Sequence, residues 1–297
     1  MTEFAAGFLR GVFLPVVTPF LNGRVDFESY VRILRHYVDL GINGVIPVGT
    51  TGEVPTVEEE EFFKIVQATV ETVGARIPIL VGVSANSTSK GLHIIESLSR
   101  HDVQGYLVTS PYYNLPSQQG IYEHFRALAD STDRKIVIYN IPYRTGRNIE
   151  NETIFKLSKV PNIIGIKDSC GNIAQTVELL RDRDPAFSVM TGEDILFFFN
   201  LVSGGGGGIL AAAHLQTASF VRIAGLVQKN DHGAALKEWN RISRFIPLLF
   251  KEPNPAPLKY VLAKKGLIRS DEVRLPLAGI SDGLKKALDA LMQEGAI

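Results

Sequence analysis

The feature that most restricts the fold of this chain is an alternation. Short β-branched runs end abruptly in Gly, Pro, Ser, Thr or Asn, and each gives way to a longer segment of helical period. The runs fall at residues 11–17 (GVFLPVV), 44–48 (GVIPV), 79–83 (ILVGV), 105–109 (GYLVT), 135–139 (KIVIY), 163–167 (IIGIK), 187–191 (FSVMT) and 207–211 (GGILA). Helix candidates follow them at 26–40, 55–73, 88–100, 118–132, 150–158, 171–183, 193–202 and 215–229. In the first of these, Phe27, Tyr30, Val31, Leu34 and Val38 share a face, the pattern of a helix covering a sheet. Thr56 ahead of Glu59 gives the second a capping-box start.

Eight strand-then-helix units in series predict an α/β fold, a parallel (β/α)8 TIM barrel. A doubly wound open sheet is the competing architecture, and the count of eight favours the barrel. Beyond the eighth unit the chain keeps a helical period at 233–249, 255–265 and 279–294 without another convincing strand. The expected division is therefore a catalytic barrel over 1–229 and a small C-terminal helical domain over 230–297.

Charge and cysteine content narrow the function classes. The 31 basic and 31 acidic residues cancel, which argues against a nucleic-acid or anionic-membrane partner and leaves a small ligand. Cys170 is the single cysteine, so an intrachain disulfide and a Cys-based zinc site are both excluded. The opening MTEFAAGFLRGVFLPVVTPF lacks the order of a secretory leader, with Arg10 interrupting its apolar run. No run reaches the ~18 uninterrupted apolar residues of a membrane span. These features read as a cytoplasmic protein.

In a barrel of this kind chemistry gathers at the C-terminal strand ends. Hydroxyls and amides dominate there, together with one primary amine, Lys167. The six histidines are scattered and fall mostly within the helix candidates, which disfavours a metal-dependent aldolase or hydrolase. Residues 204–208, five consecutive glycines, look like a phosphate loop but precede the eighth strand, on the opposite rim; a tight lead-in to that strand is the better reading. Lys167 has two readings: a strand-end lysine paired with a carboxylate such as Glu53, or a poorly solvated amine that forms a Schiff base with a ketone. Tyr139 ends the preceding strand and is placed to shuttle protons, with Thr51 and Tyr113 as available hydroxyls.

Four motifs on strand ends, GTTGE (49–53), SPYYNLPSQQGIYEHF (110–125), YNIPYRTG (139–146) and GIKDSCGN (165–172), are similar to those of the dihydrodipicolinate synthase and N-acetylneuraminate lyase family of pyruvate-dependent class I aldolases. The order and spacing match from VTPF at 17–20 through EPNPAPLK at 252–259. The resemblance implies that Lys167 forms an imine with pyruvate, Tyr139 is the proton shuttle, and Thr51 and Tyr113 complete a relay, Tyr113 reaching across from a neighbouring subunit. It further implies that Thr50 and Thr51 hold the pyruvate carboxylate, helped by Gly192 and the carbonyl of Ile209. No metal or organic cofactor is implied, and a homotetramer, a dimer of dimers, is.

Arg144, just after the YN-x-P segment, resembles the arginine that receives the carboxylate of aspartate semialdehyde in the synthase branch. The alternatives are a related pyruvate-imine lyase, such as a sugar-acid aldolase or dehydratase or a hydratase-aldolase, and a non-catalytic sensor or scaffold. Positions of the lysine-inhibited synthases appear here as Val54, Glu59, Phe62 and Lys90, so feedback by lysine is expected to be weak or absent. GGILAAAH (207–214) departs from the usual wording, and its His214 reads as a cap for the next helix rather than a catalytic group. DSCGN likewise varies the commoner EATGD or EASGN after the lysine.

Overall fold

Each β-branched run forms a strand: β1 (Gly11–Pro15), β2 (Gly44–Ile46), β3 (Leu80–Val83), β4 (Gly105–Thr109), β5 (Lys135–Asn140), β6 (Ile163–Asp168), β7 (Ser188–Thr191) and β8 (Gly207–Ile209). A computed structural model describes residues 7–297, so the first six residues of the segment read for a leader lie outside the described ones. Neighbouring strands are all parallel, in the order β2-β1-β8-β7-β6-β5-β4-β3. A bridge between Val45 and Ile79, and Gly82 N donating to Pro47 O at 3.1 Å, join the two ends. The sheet thus closes on itself, and the open-sheet alternative falls away.

The strands are covered by α1 (Phe27–Asp39), α2 (Glu59–Val73), α3 (Thr88–Leu98), α4 (Gln118–Asp130), α5 (Asn151–Leu157), α6 (Ile173–Asp182), α7 (Phe197–Val202) and α8 (Thr217–Gln228). Alternation along each strand makes two cores from one sequence pattern. Phe13, Leu80, Leu107, Val137 and Met190 fill the barrel interior, while Val12, Leu14, Val45, Val81 and Ile138 face the helices. The buried face of α1 centres on Tyr30, Ile33, Leu34 and Tyr37, turned one residue from the expected stripe. Asp26 caps that helix by accepting from Ser29 N at 3.2 Å.

The start of α2 differs from the reading above. Glu53 is left-handed (φ 56°) and Val54–Thr56 form a single 3-10 turn, so the helix begins later, capped by Glu58 with Glu61 returning the bond. Thr56 instead donates to Glu53 O at 3.1 Å. Two small elements were not foreseen: an antiparallel hairpin of Phe20–Leu21 with Arg24–Val25, and a one-turn helix at Pro142–Thr145.

Three longer helices end the chain: α9 (His232–Ile242), α10 (Ala256–Lys264) and α11 (Asp282–Gln293). The expected 233–249 helix stops at Ile242 and restarts as Ile246–Leu249, with Pro247 unable to supply an interior N–H. Trp239 of α9 packs on Phe197 and Phe220 of the barrel helices, ring centroids 6.3 and 6.2 Å away. Further on, Arg274 forms a two-pronged pair with Glu61 at 2.5 and 2.6 Å, and Lys259 of α10 reaches Glu53 at 2.5 Å. The C-terminal segment is therefore fastened to the rim that carries the GTTGE turn. Among the described residues no helix is long and apolar enough to cross a membrane.

Candidate active site

Strand register sets the centre of the site. Thr109 pairs with Tyr139 across β4 and β5, Tyr139 with Lys167 across β5 and β6, and Lys167 with Met190 across β6 and β7. Register partners in a parallel sheet point to the same face, so these four side chains form one inward rung. Lys167 Nζ lies 4.3 Å from the Tyr139 ring centroid, and the two residues are 6 % and 5 % exposed.

Lys167 makes no ion pair among the described residues, because Glu53 is taken by Lys259. The strand-end pairing considered for Lys167 and Glu53 is thereby corrected: a turn of left-handed residues carries Glu53 away from the barrel axis and toward α10. Burial holds the Lys167 amine below the usual lysine range, against the pull of Asp194, Tyr143 and Glu193. The same burial pushes the Tyr139 phenol above its ordinary range, and the positive charge of Arg144 opposes that rise.

The GTTGE turn is strained where it matters. Val48, a β-branched residue, is held at φ 49° directly before Gly49, a conformation that costs about 1–3 kcal/mol. Thr51, read as part of the relay, accepts from Asn254 Nδ2 at 3.0 Å through its Oγ1. Both threonines, with Ser84, Thr109, Tyr139 and Lys167, line a small pocket.

Gly192 follows β7 and donates its N–H to Asp168 O at 2.7 Å. A Cβ there would fall 2.1 Å from Ser169 Oγ and 2.6 Å from Lys167 Cε, so only glycine leaves room for the amine. Ile209 ends β8, buried in the barrel core. Arg144, on the one-turn helix, lies with its guanidinium 5.3 Å from the Tyr143 ring and lines a second cavity of about 490 Å³ with Gly192, Glu193, Asp194 and Asn254. That cavity adjoins the pocket through Gly192 and Asn254, and it runs between the rim and the C-terminal segment.

Tyr113 stands apart from this group. It is 87 % exposed at φ 73°, away from its own chain's pocket. His214 is buried rather than at the pocket mouth: Nε2 accepts from Val17 N at 3.3 Å and Nδ1 donates to Ala211 O at 2.8 Å, while burial lowers its pKa to about 4. It makes no side-chain cap on α8, and instead fixes the backbone just past β1.

Sequence reasoning missed three groups. Asn254 was quoted only as part of a motif, yet its Nδ2 donates to Thr51 Oγ1. Asp194 is 5 % exposed, accepts from Ala212 N at 2.6 Å, and is raised by burial above the usual carboxylate range. Ser169 shares the inward face with Lys167 by simple alternation, a signal the sequence did carry. No group of three His, Cys, Asp or Glu side chains gathers as metal ligands among the described residues.

Known proteins resemble this chain in sequence and fold. The model of the dihydrodipicolinate synthetase family matches residues 8–295. The chain is 48 % identical over 284 residues to 4-hydroxy-tetrahydrodipicolinate synthase 2 of Clostridium acetobutylicum, covering 96 % of this chain and 99 % of that one. A monomeric dihydrodipicolinate synthase variant superposes with a TM-score of 0.93 at 35 % identity, with 98 % of each chain covered. The chloride-inhibited dihydrodipicolinate synthase of Acinetobacter baumannii, solved with pyruvate, gives 0.93 at 31 % identity, covering 97 % of this chain and 100 % of that one. With the match running through every strand end that builds the pocket, the chain belongs to the dihydrodipicolinate synthetase family.

Proposed function

We propose that this chain condenses pyruvate with L-aspartate 4-semialdehyde through an imine on Lys167, giving 4-hydroxy-tetrahydrodipicolinate for lysine and diaminopimelate biosynthesis. The observation that carries the reading is the buried, unpaired amine of Lys167 in register with the phenol of Tyr139. An amine whose pKa is lowered by burial reaches its nucleophilic form at a more moderate pH. The chemistry asks for no metal or organic cofactor, since the protonated imine is itself the electron sink.

In this mechanism Lys167 Nζ attacks the ketone carbon of pyruvate, and the carbonyl oxygen takes the phenol proton of Tyr139. The phenolate recovers a proton from the new ammonium nitrogen, leaving a neutral carbinolamine. Tyr139 then protonates the carbinolamine hydroxyl, the C–O bond breaks, water leaves, and the nitrogen lone pair closes the iminium. Phenolate next takes a proton from the methyl carbon to give the enamine, whose carbon attacks the aldehyde. Thr50 supplies a hydroxyl to the phenol, Thr51 and Gly192 border the place of the pyruvate carboxylate, and Ile209 offers its carbonyl.

Arg144 receives the carboxylate of the aldehyde, a match of planar guanidinium to carboxylate that lysine or leucine cannot reproduce. Arg144→Leu is expected to raise KM for aspartate semialdehyde by about 10- to 100-fold, the worth of a charge-assisted pair, with pyruvate trapping on Lys167 preserved. Equal loss of both activities would place Arg144 elsewhere. The overall reading is tested by turnover of pyruvate plus aspartate semialdehyde, coupled to a dihydrodipicolinate reductase. Imine trapping without coupled turnover would move the reading to another aldehyde.

Residues 1–229 act as the catalytic barrel and 230–297 as an accessory helical domain, in a cytoplasmic homotetramer. Exposed Tyr112, Tyr113 and Leu115 on one loop support an interface through which Tyr113 reaches a neighbour's relay. Exposed Ile173 and Val177 on α6, with Phe199 and Val202 on α7, support a second. Lysine feedback is weak or absent in this account, because the exposed Lys90 would repel a cationic ligand.

A further inference from the structure

Ser169 is a buried hydroxyl that nothing in the resting chain uses. The residue is 1 % exposed, and its Oγ is sealed from solvent without a hydrogen-bond partner. Leaving a buried polar group unsatisfied costs about 1–3 kcal/mol, so such a group calls for a partner in the working state. Thr109 and Ser110 hydroxyls on the β4 side are also unpartnered. Of these three, Ser169 lies beside the Lys167 side chain, whose Nζ is 4.3 Å from the Tyr139 ring centroid.

Its position follows from strand geometry. Two residues beyond Lys167, Ser169 points to the same inward face, one step nearer the rim. Its backbone N–H donates to Asn140 O at 2.8 Å, and Asn140 is itself held by Asn148 at 2.9 Å and by Ile149 N at 3.1 Å. The hydroxyl is thus fixed by the segment that carries Tyr139. Over Gly192, Ser169 Oγ and Lys167 Cε flank the same point.

We propose that Ser169 Oγ donates a hydrogen bond to the Tyr139 oxygen whenever that oxygen becomes a phenolate, making Ser169 a catalytic residue supplied from within the subunit. The inference rests on Tyr139 being the proton shuttle. Each turnover generates the phenolate in a desolvated place, and a buried anion needs fixed donors to form at all. Thr50 is one donor and Ser169 the second. No new bond is made or broken; the Ser169 proton stays on its oxygen.

The test compares Ser169→Ala, Ser169→Thr and Ser169→Val under saturating substrates, with borohydride trapping of pyruvate run on each. Ser169→Ala is expected to lower kcat by about 10- to 100-fold, less than the loss of a sole oxyanion donor because Thr50 remains, with KM for pyruvate within about twofold. Ser169→Thr keeps the hydroxyl and is expected within about threefold of wild type, whereas its isostere Ser169→Val falls with the alanine variant. If the alanine variant does not fold, the threonine and valine pair decides alone. Equal kcat for threonine and valine variants, in an enzyme whose wild type traps pyruvate and turns over, overturns the role of Ser169 and leaves the imine reading standing. Failure of the wild type itself to trap pyruvate overturns the imine reading instead.

Discussion

Lys167→Ala is expected to abolish covalent trapping of pyruvate and to lower turnover by about 10³-fold or more, with the fold intact. Among the described residues no other primary amine lines the pocket: Lys259, the other buried lysine, is committed to Glu53 and Glu272. The loss should come without a loss of stability, because Lys167 has no ion pair to break. Removing a buried amine that makes no close pair relieves desolvation, and Asp194 and Glu193 lose only a longer-range attraction. A pH series on the wild type gives a second check. Below the amine's pKa Lys167 is protonated and cannot attack; above it the neutral form does. Since burial depresses that pKa from a lysine's ordinary 10.5, trapping rates should climb with pH and level off well below 10.5. A rise centred near 10.5 would mean that the amine is solvated and the site is not as described.

Lys259→Met is expected to destabilise the protein by about 3–5 kcal/mol, the loss that follows when one partner of a buried pair is removed. Lys259 and Glu53 are both fully buried, 2.5 Å apart, and 206 residues apart in the chain. Lys259 also donates to Glu272 O at 2.7 Å and sits 4.2 Å from the Phe20 ring, which carries Arg274 at 4.2 Å. Without the ammonium, Glu53 keeps only the Arg274 backbone N–H at 3.1 Å as a hydrogen-bond donor among the described residues. Adding Glu53→Gln to Lys259→Met should recover part of the stability, as the stranded charge is gone. The effect extends to function, because Glu53 ends the turn that holds Val48 strained and places Thr50 and Thr51. Urea unfolding of the single and double variants measures both changes, and a loss below about 1 kcal/mol for Lys259→Met would show that the pair does not hold the turn.

The barrel was legible because its signal is repeated eight times. Any one run, such as GVIPV, is ambiguous, but the alternation of short β-branched runs with helical segments admits few arrangements. Lys167 and Tyr139 were legible for a related reason: alternation within a strand and adjacency of successive strands are both properties of local sequence. The register then placed them side by side.

What stayed hidden depends on turns and on distant chain segments. Thr51 meets Asn254 from a turn whose backbone is left-handed at Val48 and Glu53, which no β-branched or acidic residue announces. The bond from Asn254 to Thr51 and the pair between Lys259 and Glu53 each span more than two hundred residues. His214 was misplaced because its neighbours AAAH suggest a helix start, while its ring serves the backbone at Val17. Ser169 was within reach of the alternation argument; its meaning emerged only with its lack of a partner.

The central claim is that the Lys167 amine forms an imine with pyruvate. Borohydride reduction of the wild-type protein with pyruvate, followed by peptide mass analysis, tests it most directly. The account predicts a reduced pyruvyl adduct confined to the peptide containing Lys167 and absent from Lys167→Ala. An unmodified Lys167 peptide, or an adduct carried equally by Lys259 or a surface lysine, would contradict it.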